Sequence, residues 1–263
     1  MTFSPTLKKE SILAFIFCCS LAFRIIKLIL DPLLLRDSAL YLFYSDIWYN
    51  TNNYSEITNI DTTVPPFPLF TIKEMMKMGF NSEITGRSIS LFLGSLIPVL
   101  GYVIAKKCFK DKRIALITSI IFIIHPTLIS YSIQPLRENY YLFFLELTII
   151  EAINGIAKRS FISWFLCGCF LSITFFCRYE ALEMIIIYSS LILFLSFKKK
   201  YTKRATLGNL ASFYIACALT AALLLSITDY DLSFIRRVSR YKGNLFHEYN
   251  IGDTSDDNSQ ISQ

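Results

Sequence analysis

Seven apolar stretches, each long enough or nearly long enough to cross a bilayer, leave few folds open to this chain. They run over residues 11–31, 87–105, 114–132, 138–156, 161–177, 180–197 and 206–228. A hydrocarbon core of roughly 30 Å asks for about 20 helical residues, and a shorter stretch suffices where flanking Lys or Arg can snorkel. Composition agrees: 54% of residues are hydrophobic and only 17% charged, against about 25% charged in an ordinary soluble domain. The first stretch follows Lys8 and Lys9 and so looks like a signal peptide. No small-residue cleavage pattern comes after it and residues 24–30 stay helix-like, so an uncleaved first span or signal anchor is expected. Arg24 and Lys27 share one face near its outer end and are expected to reach headgroups.

Charge sets the orientation. The net charge is +6, and the basic residues fall in short clusters between apolar runs, notably KKCFKDKR at 106–113, Lys158-Arg159 and KKKYTKR at 198–204. Such clusters stay on the cytoplasmic side, which places the N-terminus inside and the C-terminus outside. Residues 1–228 then form a seven-helix membrane core that includes a long outer loop, 32–86. The tail, 229–263, ends in GDTSDDNSQISQ, lacks apolar residues to bury and reads as partly disordered. Residues 178–180 make the fifth and sixth spans a tight hairpin.

Several functions are disfavoured. Seven Cys are too few for a disulfide scaffold, and five of them lie in apolar runs where they act as small hydrophobes. The pair Cys167 and Cys169 has only His125 and His247 in the whole chain to complete a zinc site. Nucleic-acid binding lacks a basic stripe with interleaved aromatics. A secondary transporter would show a repeat between halves, and none is evident.

The outer segment has structure of its own. Residues 33–44, LLLRDSALYLFY, suit a helix at the interface or packed on the bundle. Residues 50–63 are polar and turn-forming. Pro65-Pro66-Phe67-Pro68 should be extended and stiff, leading into a helix over residues 69–78. His125-Pro126 reads as a local distortion of the third span. Tyr140, Tyr141, Phe143 and Phe144 read as packing rather than as a sugar platform.

Charges at membrane depth are costly and tend to face a cavity or a partner. Asp37, Glu138 and Glu180 all fall near the outer surface, at the ends of different segments, and can converge there. Asp37 is either paired with Arg36 or capping a helix, or it is a carboxylate held at the surface as a general base. Glu138 is either a first-turn acid favoured by the helix dipole or a site residue. Arg87 and Arg137 begin spans at the outer face. They either anchor their helices among lipid phosphates or clamp a substrate phosphate, since guanidinium donors match phosphate oxygens. Glu146, two turns inward from Glu138, either lines a groove or is a neutral core residue.

The order of these features resembles a known family. Arg36-Asp37-Ser38-Ala39-Leu40-Tyr41 after the first span is followed by Pro65-Pro66-Phe67-Pro68-Leu69, then Gly86-Arg87-Ser88-Ile89-Ser90 leading to Gly94. A basic turn comes next, then His125-Pro126 through Tyr131-Ser132, Arg137-Glu138, and Arg178-Tyr179-Glu180-Ala181-Leu182. Over about residues 30–190 this resembles the polyprenol-phosphate-sugar-dependent membrane glycosyltransferases of the GT-C fold. That superfamily holds the protein O-mannosyltransferases and the aminoarabinose transferase of lipid A. The nearest likeness is to the bacterial family 39 or protein-mannosyltransferase-like branch with its Pro-Pro signature.

The resemblance implies an all-α integral membrane GT-C-like bundle, of the bacterial inner membrane, taking a polyprenyl-phosphate-linked sugar at the outer face. An inverting transfer would deliver the sugar to a lipid, glycan or protein acceptor. The family's first-loop acid falls on Asp37, which would be the base. Its later acid falls on Glu138, which would orient the acceptor or bind a divalent metal. Arg87 and Arg137 are the donor-phosphate candidates, and Tyr41, Pro65, Pro66, Arg178 and Glu180 are candidate pocket residues. Many members follow the Asp with Glu, whereas this chain has Ser38. Such enzymes continue with further spans, so the seven here match either the shared core module or a truncated, partner-dependent form. The competing reading is a non-catalytic membrane subunit or a lipid-binding relic of the fold, with a membrane protein partner.

Overall fold

A computed structural model describes residues 5–60, 64–198 and 201–228 of the chain. The expected tail, 229–263, lies outside them. All regular structure among the described residues is helical: α1 Pro5–Leu30, α2 Arg36–Thr51, α3 Ser55–Ile60, α4 Pro66–Met76, α5 Ser82–Phe109, α6 Lys112–Ile124, α7 Pro126–Ser132, α8 Arg137–Lys158, α9 Phe161–Cys177, a 3₁₀ turn Tyr179–Ala181, α10 Leu182–Phe197 and α11 Lys203–Thr228.

Every expected span is helical. Five helices are long and apolar enough to cross a membrane: α1, α5, α8, α10 with its preceding turn, and α11. The expected third span is two helices, α6 and α7, bent by 60° at His125. The cause is Pro126, which disfavours the helical region for the residue before it. His125 accordingly sits at φ −64° and ψ 118°. The break is sharper than the local distortion expected from sequence. At 17 residues α9 is shorter than the others, about 26 Å at 1.5 Å per residue.

The bundle is held by apolar faces and small-residue contacts. α9 lies between α8 and α11, with Trp164, Cys167, Leu171 and Phe213 in a shared core. Gly168 permits the close approach, since a Cβ there would lie 2.4 Å from the backbone oxygen of Phe213. Arg24 differs from expectation. It is fully buried, and its guanidinium donates to Ser20 Oγ at 2.6 Å and to the Ser20 carbonyl. Lys27 instead pairs with Asp31 at 2.9 Å.

The outer segment folds back on the bundle around an aromatic core of its own. Tyr41, Tyr44, Trp48, Tyr54, Ile57, Val64 and Leu69 are buried together, and the Tyr54 hydroxyl donates to the Val64 carbonyl at 2.9 Å. Full burial of one such side chain contributes about 1.5–3 kcal/mol, which offsets part of the cost of ordering the segment. Its boundaries differ from the sequence reading in three places. Residues 33–35 lie outside any helix, with Leu35 extended, and α2 runs from Arg36 to Thr51, while a short helix, α3, occupies part of the stretch expected to be turns. Pro66 and Pro68 lie inside the first turn of α4, where a missing amide N–H costs no intrahelical bond. Only Pro65 keeps the expected extended backbone, at ψ 139°.

Candidate active site

Alternation of the spans puts the end of α1, the start of α5, the α7–α8 turn and the α9–α10 turn on one side of the bundle. The basic turns lie on the other side, where Lys107 meets Asn154 and the Tyr201 hydroxyl meets the Gly155 carbonyl.

On the first side α2 and α8 begin alike. Each has a Leu at its N-cap with no side-chain cap, then Arg, then an acid: Leu35-Arg36-Asp37 and Leu136-Arg137-Glu138. The two starts meet. A cavity of about 200 Å³ is lined by Asp37, Leu40, Tyr41, Tyr44, Val64, Leu136, Arg137 and Glu138. A second, of about 330 Å³, is lined by Leu35, Arg36, Asp37, Tyr131, Leu136 and Glu138. Asp37, Leu136 and Glu138 face both, so two carboxylates a hundred residues apart in sequence share one polar hollow. Leu40, Tyr44, Val64 and Leu136 went unnoticed in sequence. The repeated Leu-Arg-acid triplet was the signal that could have drawn attention to Leu136.

The two carboxylates are held differently. Asp37 is exposed, and among the described residues its carboxylate makes no hydrogen bond or ion pair, so of the alternatives left open by the sequence neither the pairing with Arg36 nor a side-chain cap is formed. Glu138 is fixed between two guanidiniums: its Oε1 lies 3.4 Å from Arg137 Nε and 3.8 Å from Arg178 Nη1. Arg178 also grips Glu180, at 3.0 Å and 3.4 Å, and stacks over Tyr141 with 5.4 Å to the ring centroid. The hydrogen bond to Glu180 raises the Arg178 pKa despite partial burial, so the group stays cationic. Tyr41, one turn after Asp37, has its phenol pushed well above its ordinary pKa. Burial is the main cause; Glu138 and Asp37 add to it and Arg137 opposes. The Tyr41 hydroxyl therefore remains a proton donor where it faces the cavity.

Arg87 is elsewhere. It is buried, its Nε donates to Glu83 at 2.9 Å, and its Nη2 donates to the Pro32 carbonyl at 2.5 Å. It lines neither cavity, and it ties α5 to the linker after α1. Pro65 and Pro66 are buried at the start of α4, where they set the direction of that helix beside Val64. Glu146 is buried two turns inward from Glu138, and its Oε2 has no hydrogen-bond partner among the described residues.

A third hollow, of about 470 Å³, lies along the same helix. Phe67, Phe70, Thr71, Glu74, Met75, Ser88, Ile89, Phe92, Leu93, Tyr140 and Phe144 line it. The Tyr140–Thr71 hydrogen bond, at 3.0 Å, locks α8 to α4 there. The aromatic run of α8 thus packs, as expected, and also walls an apolar groove.

A family model for dolichyl-phosphate-mannose-protein mannosyltransferases matches residues 63–229, more than half of the chain. The chain belongs to that family. It is a multi-pass membrane glycosyltransferase of the GT-C type, and the family implies a polyprenyl-phosphate sugar donor and an acceptor. The match takes in Pro65, Pro66, Arg87, Arg137, Glu138, Arg178 and Glu180, whereas Asp37 and Tyr41 lie upstream of it. No curated protein matches the chain.

The donor set does not suit a resident divalent metal. No group of three or more His, Cys, Asp or Glu side chains gathers among the described residues. Glu138, the carboxylate expected to bind one, already faces two guanidinium charges that would repel a dication.

Proposed function

We propose that this chain transfers a sugar from a polyprenyl phosphate to an acceptor hydroxyl or amine at the outer face of a bacterial inner membrane, with inversion, and that Asp37 is the base. The observation that carries the reading is the shared hollow. An unpaired carboxylate, Asp37, faces a second one, Glu138, that is held by two arginines, at the mouth of a family-typical bundle. A base must be free to accept a proton, and Asp37 is. A residue that orients substrate must itself be fixed, and Glu138 is.

The donor phosphate fits the α8 end of the hollow. Arg137 lines the cavity, Arg178 stands beside Glu138, and the uncapped amides of the first turn of α8 add partial positive charge. These stabilise the phosphate as it leaves with the bonding electrons of the sugar–oxygen bond. Arg178 takes the second phosphate role for which sequence favoured Arg87. The apolar groove along Tyr140 and Phe144, one and two turns inward, suits the trailing lipid. Asp37, across the cavity, removes the acceptor proton as the acceptor attacks from the opposite face. The hollow of about 200 Å³ shares Asp37, Leu136 and Glu138 with its 330 Å³ neighbour, and the acceptor approaches from that side.

The N-terminus lies inside in this reading, with 106–113 and 198–204 on the cytoplasmic side and 32–86 outside. The test is transfer in nanodiscs: purified chain, radiolabelled polyprenyl-phosphate sugar and host membrane extract, with mass spectrometry of the product. Transfer is expected. A folded protein that neither binds the donor nor labels any acceptor would leave the non-catalytic subunit as the better account.

A further inference from the structure

Gln134 joins the two helix starts that carry the carboxylates, and neither the family match nor any motif draws attention to it. It lies in the turn between α7 and α8 and is only 3% exposed. Its side-chain Oε1 accepts from the Leu35 amide at 3.1 Å, and its Nε2 donates to the Leu33 carbonyl at 2.7 Å. Its own carbonyl accepts from the Leu136 amide at 2.8 Å and from Asn139 Nδ2 at 3.1 Å. Asn139 also donates to the Tyr131 carbonyl at 2.8 Å. One residue therefore binds the N-cap amides of both α2 and α8.

The linker it grips has little else to hold it. Leu33 and Leu35 are 76% and 49% exposed and Leu34 is only partly buried, so apolar packing holds residues 33–35 weakly. Apart from the Arg87 contact at Pro32, the clamp is the described hydrogen bonding that connects this linker to the bundle. Asp37 follows two residues after Leu35, and Glu138 two residues after Leu136. A carboxamide is needed because the linker offers one carbonyl and one amide. Glu has no donor when ionised, Met has neither group, and Asn is a methylene shorter.

We infer that Gln134 is a positioning residue for transfer: its carboxamide sets the register of α2 against α8 and thereby the placement of Asp37 opposite Glu138. This rests on the reading of Asp37 as base. Misplacement of a reacting group by about 1 Å can cost on the order of 100-fold in rate, and a free linker would allow at least that. The donor phosphate, held from α8 and Arg178, should bind nearly as before.

The experiment uses the full chain in nanodiscs, as Gln134→Met and as Gln134→Glu. It measures kcat, donor KM, thermal unfolding, and the distance distribution between spin labels at the exposed positions Ala39 and Thr127. The expected result is a fall in kcat of about 10- to 100-fold, donor KM within about threefold, and a broadened label distance. Gln134→Glu keeps the acceptor, so it serves if the Met variant folds poorly, and its loss should be at least as large because the charge repels the Leu33 carbonyl. Unchanged kcat in both variants overturns the inference. So does a parallel loss of kcat, donor affinity and thermal stability, which would mark Gln134 as merely structural. If the wild type transfers nothing, the reading of Asp37 fails, and the label distance alone decides whether the clamp exists.

Discussion

Asp37→Asn separates chemistry from structure more cleanly than any other substitution in this chain. Asn keeps the size of the side chain and removes its ability to take a proton. The structure bounds the cost to folding. Asp37 is exposed and its carboxylate is unpaired among the described residues, so the main favourable interaction lost is with the positive end of α2, at about 0.3–1 kcal/mol. Loss of a general base costs about 10²- to 10⁴-fold in rate, which is about 2.7–5.4 kcal/mol of transition-state stabilisation at 1.36 kcal/mol per decade. The variant should therefore reach the membrane at wild-type abundance, unfold within a few degrees of wild type, bind donor, and transfer slowly or not at all. Glu138→Gln should fall between wild type and Asp37→Asn, because Arg137 and Arg178 lose a charge partner while the base stays. Transfer in nanodiscs from a labelled polyprenyl-phosphate sugar measures the rates, and tryptophan fluorescence follows unfolding. A rate above about a third of wild type, a change of under 1 kcal/mol, would show that Asp37 is not the base.

Arg137→Ala is expected to raise donor KM about tenfold or more, whereas Arg87→Ala should leave KM near wild type and lower the unfolding temperature, since the buried Arg87 ties Glu83 and Pro32; the reverse pattern in donor titration and thermal unfolding would return the phosphate to Arg87. Gly168→Val forces a side chain into the Phe213 backbone. It should cost at least about 1–3 kcal/mol and be seen as earlier unfolding in detergent, and unchanged unfolding would contradict the α9–α11 contact. The raised pKa of Tyr41 means that the folded state favours the neutral phenol. Its stabilising share is complete below the unfolded value of about 10 and declines above it. Tyr41→Phe should therefore flatten the loss of thermal stability from about pH 10 upward, and an unchanged alkaline profile would remove the electrostatic account of this residue.

What sequence revealed and what it hid divide by the reach of the interaction. Spans and the Pro-Pro helix start follow from signals within a few residues, and those elements appear where expected to within about two turns. The bend at His125-Pro126 was visible as a proline, but its 60° depends on how α7 then packs on α5 and α1. The Arg87–Glu83 ion pair was legible locally, since Glu83 stands four residues before Arg87, the favoured acid-first spacing for a helical ion pair. Arg24 could not be foreseen in the same way. Its position near a helix end suggested snorkelling, yet the packing of the assembled bundle leaves it buried.

The clamp at Gln134 lies at the far end of that scale. A glutamine in a turn carries no hydropathy period, no charge and no motif, and the Leu33 and Leu35 groups it binds are backbone atoms that every residue possesses. Only the assembled bundle, with α7 bent away at Pro126 so that its end reaches the α1–α2 linker, brings the carboxamide to them. Asp37 and Glu138 were legible one at a time as acids at helix starts, and their convergence followed from topology. The element that holds them in register was not, because it is made from an uncharged side chain and from main chain. Charge marks where such a site has its chemistry, and neutral hydrogen bonds to backbone fix its geometry. For a reaction that depends on in-line attack, the second is as consequential as the first.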